Sequence, residues 1–258
     1  MLFEVKNLTG GYGKNIVVDD VSFSVSQGDM VYVLGANGSG KTTMFEMIIG
    51  YKNKMSGNVL MDSLSTDTMS KTELAKHIAY IPQIHTQTFG YLVRDMVLMG
   101  RTCHIPRFST PSTKDYEIVD ETLEMLNIQK LADREYTELS GGERQLVLIA
   151  RAICQKAKII IMDEPLNNLD FTNKKMLTET LNNLVDMGYT VIMSTHSVIN
   201  NYKDNSKILL MDEKGHATFG AIEDIISGDL LKTAYGVPLQ IICTTDEKGG
   251  KHLLCLPL

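Results

Sequence analysis

Tryptophan is absent from this chain of 258 residues, proline occurs 6 times and cysteine 4 times. The cysteines, Cys103, Cys154, Cys243 and Cys255, form no C-x-x-C pair, which argues against a zinc knuckle or a disulfide framework and leaves free thiols as the plain reading. Long hydrophobic runs are missing as well. The most apolar stretches, such as Leu146 to Cys154, fall short of the roughly 18 residues that span a bilayer, so the chain is not expected to cross a membrane by itself. Basic charge is in deficit: 25 Lys and Arg against 31 Asp and Glu leave a net charge of −6, which argues against a protein that coats nucleic acid. The first residues mix Glu4 and Lys6 into a strand-like pattern, with no basic segment followed by an apolar core, so no secretory leader is expected and a cytoplasmic location is. No repeat or low-complexity segment appears, and the length suits one large domain or a domain with a subdomain.

What is present alternates. Val21, Phe23 and Val25 point one way while Ser22, Ser24 and Ser26 point the other, which predicts a half-buried strand. Val31 to Leu34 is a short continuous apolar run, and similar runs recur at 158–162, 190–194 and 207–211. Those near 160 and 192 flank a helical pattern from about 172 to 187, with Met176, Leu177, Leu181 and Leu184 on one face. Strand, helix, strand in this order predicts an α/β fold with a parallel sheet. From about 85 to 155 the pattern turns helical: Ile118, Val119, Thr122, Leu123 and Leu126 share one side of a helix, which predicts an insertion into the α/β core. From about 227 to 258 two apolar stretches flank a polar turn at 246–250, read as a small C-terminal extension of a main domain spanning 1–226.

Residues 35–42 read Gly35, Ala36, Asn37, Gly38, Ser39, Gly40, Lys41, Thr42, a G-x-x-x-x-G-K-[ST] loop between the strand and the helix that such a loop needs. Glycines let successive N–H groups turn inward on an anion, and the helix N-terminus adds its dipole. Lys41 supplies a mobile charge for the β/γ-phosphates, and the Thr42 hydroxyl stands where it can ligate Mg²⁺, with Thr43 next in the helix. The run Ile159, Ile160, Ile161, Met162 ends in Asp163, suited to the hydration shell of that ion. Glu164 follows and points elsewhere, free to polarise a water at the γ-phosphate.

Leu139, Ser140, Gly141, Gly142, Glu143, Arg144, Gln145 closely resembles the signature of ATP-binding cassette (ABC) ATPases, and its place between the phosphate loop and Asp163 matches. Physically it is also a capping box, with Ser140 and Glu143 reciprocally bonded at a helix start, so the Gly141 and Gly142 amides make a second anion site. The resemblance implies a P-loop NTPase (RecA-like) core with an antiparallel β subdomain and a helical subdomain. It implies further roles, residue by residue: Tyr12 stacks on adenine, Gln83 senses metal and attacking water, Asp170 lies in the interface loop, and His196 holds the γ-phosphate. Pro165, Leu166, Asn167, Asn168 depart from the commoner Pro-Thr-Ser-Ala wording, which bears on interface contacts.

The same resemblance implies ATP and Mg²⁺ as ligands and a homodimer in which the signature of one protomer meets the ATP of the other. A finer likeness, 93–101 followed by His104, Phe108 and Pro111, is to importer ATPases for iron-siderophore, haem, cobalamin and related metal chelates. It implies docking of integral membrane permease subunits, an extracytoplasmic substrate-binding protein acting through them, and a peripheral place on the cytoplasmic side of the membrane. A metal site at Cys103 and His104 is not favoured, because neighbouring residues rarely face one ion. A GTPase is not favoured either: Asn173, Lys174, Lys175, Met176 lacks the base-reading aspartate. Soluble ABC ATPases outside transport, and importers of molybdate-like anions, remain the alternatives.

Overall fold

A computed structural model describes residues 2–83, 90–195, 199–203, 205–226, 234–235, 239–245 and 251–257. The strands are β1 (Phe3–Tyr12), β2 (Asn15–Val25), β3 (Met30–Leu34), β4 (Ser56–Met61), β5 (Leu64–Ser65), β6 (Ile78–Ile81), β7 (Ile159–Met162), β8 (Thr190–Ser194), β9 (Ile199–Tyr202), β10 (Lys207–Met211), β11 (Ala217–Ala221), β12 (Leu239–Thr245) and β13 (Lys251–Pro257). The helices are α1 (Lys41–Ile48), α2 (Lys71–Leu74), α3 (Val93–Leu98), α4 (Thr113–Met125), α5 (Gly141–Cys154), α6 (Phe171–Asp186) and α7 (Ile222–Ile225).

Two of the three sheets build the main body. One is antiparallel, in the order β2-β1-β4-β5; the other runs β11-β10-β3-β8-β7-β6, parallel throughout except for the edge strand β11. The continuous apolar runs of the parallel strands follow from burial on both faces. In β3, Met30, Tyr32 and Leu34 join the core beneath the helices, while Val31 and Val33 join the core shared with α1 and the antiparallel sheet. Strand β7 divides the same way, Ile160 and Met162 to one side and Ile159 and Ile161 to the other. On β2 the expected alternation is present, with Val21, Phe23 and Val25 buried.

Helix α6 buries Leu177, Leu181 and Leu184, but Met176 is exposed, one position off the stripe that faces the sheet. Between β6 and β7 lies the helical part, α3, α4 and α5, as the sequence pattern anticipates. In α4, Val119, Thr122 and Leu123 are buried, and Ile118 and Leu126 pack against the same core while partly exposed. The C-terminal residues form a hairpin, Gln240 opposite Leu256 through Thr245 opposite Lys251, and β13 pairs onto β9, so this extension is stitched to the strand that follows β8. The polar turn expected at 246–250 lies outside the described residues.

One buried ion pair locks the helical part. Arg101 donates from Nε to Asp115 Oδ1 at 3.0 Å and from Nη1 to the Cys154 carbonyl at 2.9 Å, tying the turn after α3 to the start of α4 and the end of α5. The Ser112 backbone and hydroxyl donate to the other carboxylate oxygen at 2.9 and 2.6 Å. These Ser112 bonds, then the Arg101 guanidinium, hold the Asp115 carboxyl at about 2, below its ordinary value of 3.8. A carboxyl depressed on folding stabilises the fold above its unfolded pKa of about 4, and that contribution is lost as pH falls from there toward about 2. Asp115→Ala is expected to cost about 3 kcal/mol, because it strands a buried guanidinium, and Arg101→Met with Asp115→Leu to cost less than that single change. Urea denaturation of the three proteins at neutral pH, and of wild type down to pH about 3, measures both effects.

Candidate nucleotide site

Parallel register determines where the site lies. β3, β6, β7 and β8 run in one direction, so the residues that follow them, Gly35, Gln83, Asp163 and Thr195, emerge at the carboxyl edge of one sheet. The loop 35–40 leads from β3 into α1, whose N-cap is Gly40 at φ 98°. A Cβ there would stand 2.7 Å from the Val17 carbonyl oxygen of β2, so both backbone conformation and contact require glycine. Among the described residues the buried Ser39 hydroxyl has no hydrogen-bond partner, an unmet polar atom inside an anion-shaped loop. Lys41 donates from Nζ to the Gly35 and Ala36 carbonyls at 2.8 and 2.9 Å. Burial pushes its ammonium below the ordinary lysine value, and the negative charges of Glu164 and Asp163 oppose that shift.

Asp163 is buried and receives two hydroxyl bonds of 2.5 Å, from Thr42 to Oδ2 and from Ser194 to Oδ1. Ser194 also accepts the Glu164 N–H at 2.8 Å, fixing the turn at which the two acids diverge. Glu164 adopts φ 49°, a left-handed conformation that costs a non-glycine residue about 1 kcal/mol and is held here by its neighbours. Its Oε2 accepts from Gln83 Nε2 at 2.8 Å and from Asn167 Nδ2. Tyr12, Asn37, Gly38, Gly40, Lys41, Thr42, Thr43, Gln83, Glu164 and Asn167 line one cleft of about 540 Å³. Tyr12 is 57% exposed, with the Lys52 ammonium 3.4 Å from its ring centroid and its hydroxyl 3.4 Å from that of Thr43.

The signature lies elsewhere in the chain. Ser140 caps α5 as the sequence implies: its hydroxyl accepts the Glu143 N–H at 3.3 Å, and Glu143 Oε2 accepts the Ser140 N–H at 2.9 Å. These bonds hold the Glu143 carboxyl below the usual range. No residue of 140–143 lines the cleft. Gly142 instead abuts the start of α6, where a Cβ would be 2.2 Å from Asn173 Oδ1, and Asp170 caps that helix by accepting the Asn173 N–H at 2.8 Å. His196 lies outside the described residues. Two contributors escaped sequence reasoning, Ser194 and Asn167. A serine ending an apolar strand and an asparagine in a turn carry no signal of their own until the fold sets them against the acids.

The fold and this cleft define a P-loop nucleotide-binding ATPase. The profile of the ABC transporter family matches residues 18–167, and the chain belongs to that family. It is 40% identical over 214 residues, 83% of its length and 81% of the relative's, to an uncharacterized ABC transporter ATP-binding protein of Haemophilus influenzae. It is 35% identical over 237 residues, 91% and 88% of the two chains, to the molybdate import ATP-binding protein MolC of the same organism. Among solved structures it superposes on an inward-facing conformation of a putative metal-chelate type ABC transporter with a TM-score of 0.84 and 30% identity, covering 100% of this chain and 97% of that one.

Two substitutions test the geometry. Ser140→Ala is expected to lower stability by about 1 kcal/mol through the lost cap of α5, read in urea. Gly40→Ala is expected to abolish ATP binding in a fluorescent-nucleotide titration, because the loop cannot close around its Cβ.

Proposed function

We propose that the chain is the ATP-hydrolysing subunit of an importer, acting as a two-fold homodimer beneath separate membrane permease subunits on the cytoplasmic face. The observation that supports the dimer is the separation just described: the loop 35–42 and the start of α5, the two segments read here as anion sites, do not share a cleft. Two-fold pairing sets the loop of one protomer against the signature of the other and makes two equivalent sites. Among the described residues no helix is long and apolar enough to cross a membrane, so the reading assigns the translocation path to other chains.

Thr42, Asp163 and Gln83 offer a hydroxyl, a carboxylate and an amide oxygen, a hard donor set suited to Mg²⁺. When bound, that ion neutralises charge on the β- and γ-phosphates. Lys41, Ser39 and the loop amides bind the phosphates, and the unmet Ser39 hydroxyl supports this. Tyr12 offers a flat face to the adenine at the rim. Glu164 accepts the proton of the attacking water, oriented by Gln83 and Asn167 on its Oε2. In this reading His196 fixes the γ-phosphate, and Ser140, Gly141, Gly142 and Glu143 of the second protomer complete the charge-stabilising shell, with Asp170 at the interface between them. Most of the rate then comes from positioning, so an isolated protomer is a slow enzyme.

For the cargo we infer a metal chelate of the iron-siderophore kind, supported by likeness along the full chain to the metal-chelate type transporter. A molybdate-like anion is the second reading, favoured by the similarity to MolC. An extracytoplasmic binding protein would select the cargo. Glu164→Gln is expected to bind ATP normally and release phosphate about 10² to 10⁴ times more slowly than wild type; equal rates would overturn the assigned base. Purification of the tagged protein from its native membranes in mild detergent is expected to recover a polytopic membrane protein. Recovery of only ribosomal or DNA-associated partners would leave the ATPase and remove the importer.

A further inference from the structure

The aromatic ring at the rim of the nucleotide cleft has a charged neighbour. The Lys52 ammonium stands 3.4 Å from the centroid of the Tyr12 ring, well within cation–π distance. Lys52 lies in the turn between α1 and β4, and the backbone of that turn is tied at both ends. The N–H groups of Tyr51 and Lys52 donate to the Glu46 carbonyl of α1, at 2.9 and 3.0 Å, and the Met55 N–H donates to the Thr9 carbonyl of β1 at 2.8 Å. Helix α1 begins with Lys41 and Thr42 of the phosphate loop, and β1 ends in Tyr12, so Lys52 is fixed to the two elements that carry the site. It is half-buried, and among the described residues no carboxylate pairs with it, although Lys54, two positions on, is paired with Asp67. Its charge is directed at the ring and not at an acid.

The two side chains belong to different concavities. Tyr12 lines the nucleotide cleft and Lys52 does not; Lys52 lines a separate cavity of about 660 Å³ that shares no lining residue with the cleft. The ammonium thus approaches the ring from outside the cleft and leaves the other face for a ligand. The face of an aromatic ring is negative, and two such faces repel when rings stack squarely. A cation behind one ring draws its π-density away from the opposite face, which becomes a better surface for an electron-rich purine. The same contact holds a ring that is otherwise 57% exposed.

We propose that Lys52 is a positioning residue for the adenine base, acting through Tyr12, which it holds and polarises from behind; this rests on the adenine contact read for Tyr12 above. The test measures by calorimetry the dissociation constants of MgADP and of magnesium pyrophosphate, which has no base, for wild type, Lys52→Met, Lys52→Arg, Tyr12→Leu and the double variant. Lys52→Met keeps most of the stem and removes the charge. It is expected to bind MgADP about threefold more weakly and pyrophosphate as wild type does, while Lys52→Arg retains the wild-type affinity for both, since a guanidinium also stacks on an aromatic face. With Tyr12→Leu already present, Lys52→Met is expected to have no further effect. Unchanged or tighter MgADP binding by Lys52→Met overturns the proposal, tighter binding meaning that the ammonium covers the adenine face. An equal loss for pyrophosphate, or an equal loss without the Tyr12 ring, overturns it too and makes Lys52 a charge that acts on the phosphates. Tyr12→Leu that binds MgADP as wild type does overturns the adenine contact itself; a loss in Tyr12→Leu with none in Lys52→Met overturns the proposal alone. Unchanged thermal transitions verify that the variants are folded.

Discussion

The Asp163 carboxylate, buried at the end of β7, is the point on which the site depends. It joins α1 through Thr42 and β8 through Ser194, so three neighbouring elements of the sheet edge share one charged group. A buried carboxylate without such donors would cost several kcal/mol, which makes the two hydroxyls a structural requirement as well as a chemical provision. The same Ser194 oxygen takes the Glu164 N–H and so sets the left-handed turn that sends the second acid toward the cleft. The start of α1 and the aiming of Glu164 are thus linked through two side chains, Asp163 and Ser194.

Beyond that edge the molecule divides by function. The parallel sheet and its two cores are rigid scaffolding, apolar on both faces. The helical part between β6 and β7 is pinned internally by Arg101 and Asp115, shares an apolar core with one face of the sheet, and is joined to the sheet's edge by the polar bonds of Gln155 as well. Gln83 sits where the chain leaves the sheet for the helical part, and its bond to Glu164 links that junction to the second acid.

Local sequence was enough to place residues 35–42 between a strand and a helix, Asp163 and Glu164 at a strand end, the capping box at Ser140 and the strands at 190–194 and 207–211, because each is a short pattern whose partners are neighbours in the chain. The hydrophobic periods likewise foretold the parallel sheet and the helical insertion. Met176 was misplaced because a helical stripe defines a face only to within one residue, and packing against the sheet decides which edge of the stripe is covered.

Everything that joins distant segments needed the tertiary structure. Gln83 and Asn167 meet on one oxygen of Glu164 from 81 and 3 residues away, Gly142 meets Asn173, and β13 meets β9. Such pairings leave no local periodicity, since their partners are brought together by strand order and not by spacing. What the sequence by itself determined is which chemistry the chain carries; the fold decided which of those groups share a cleft, and it left the signature outside that cleft because α5 starts on the side of the sheet edge where α6 begins.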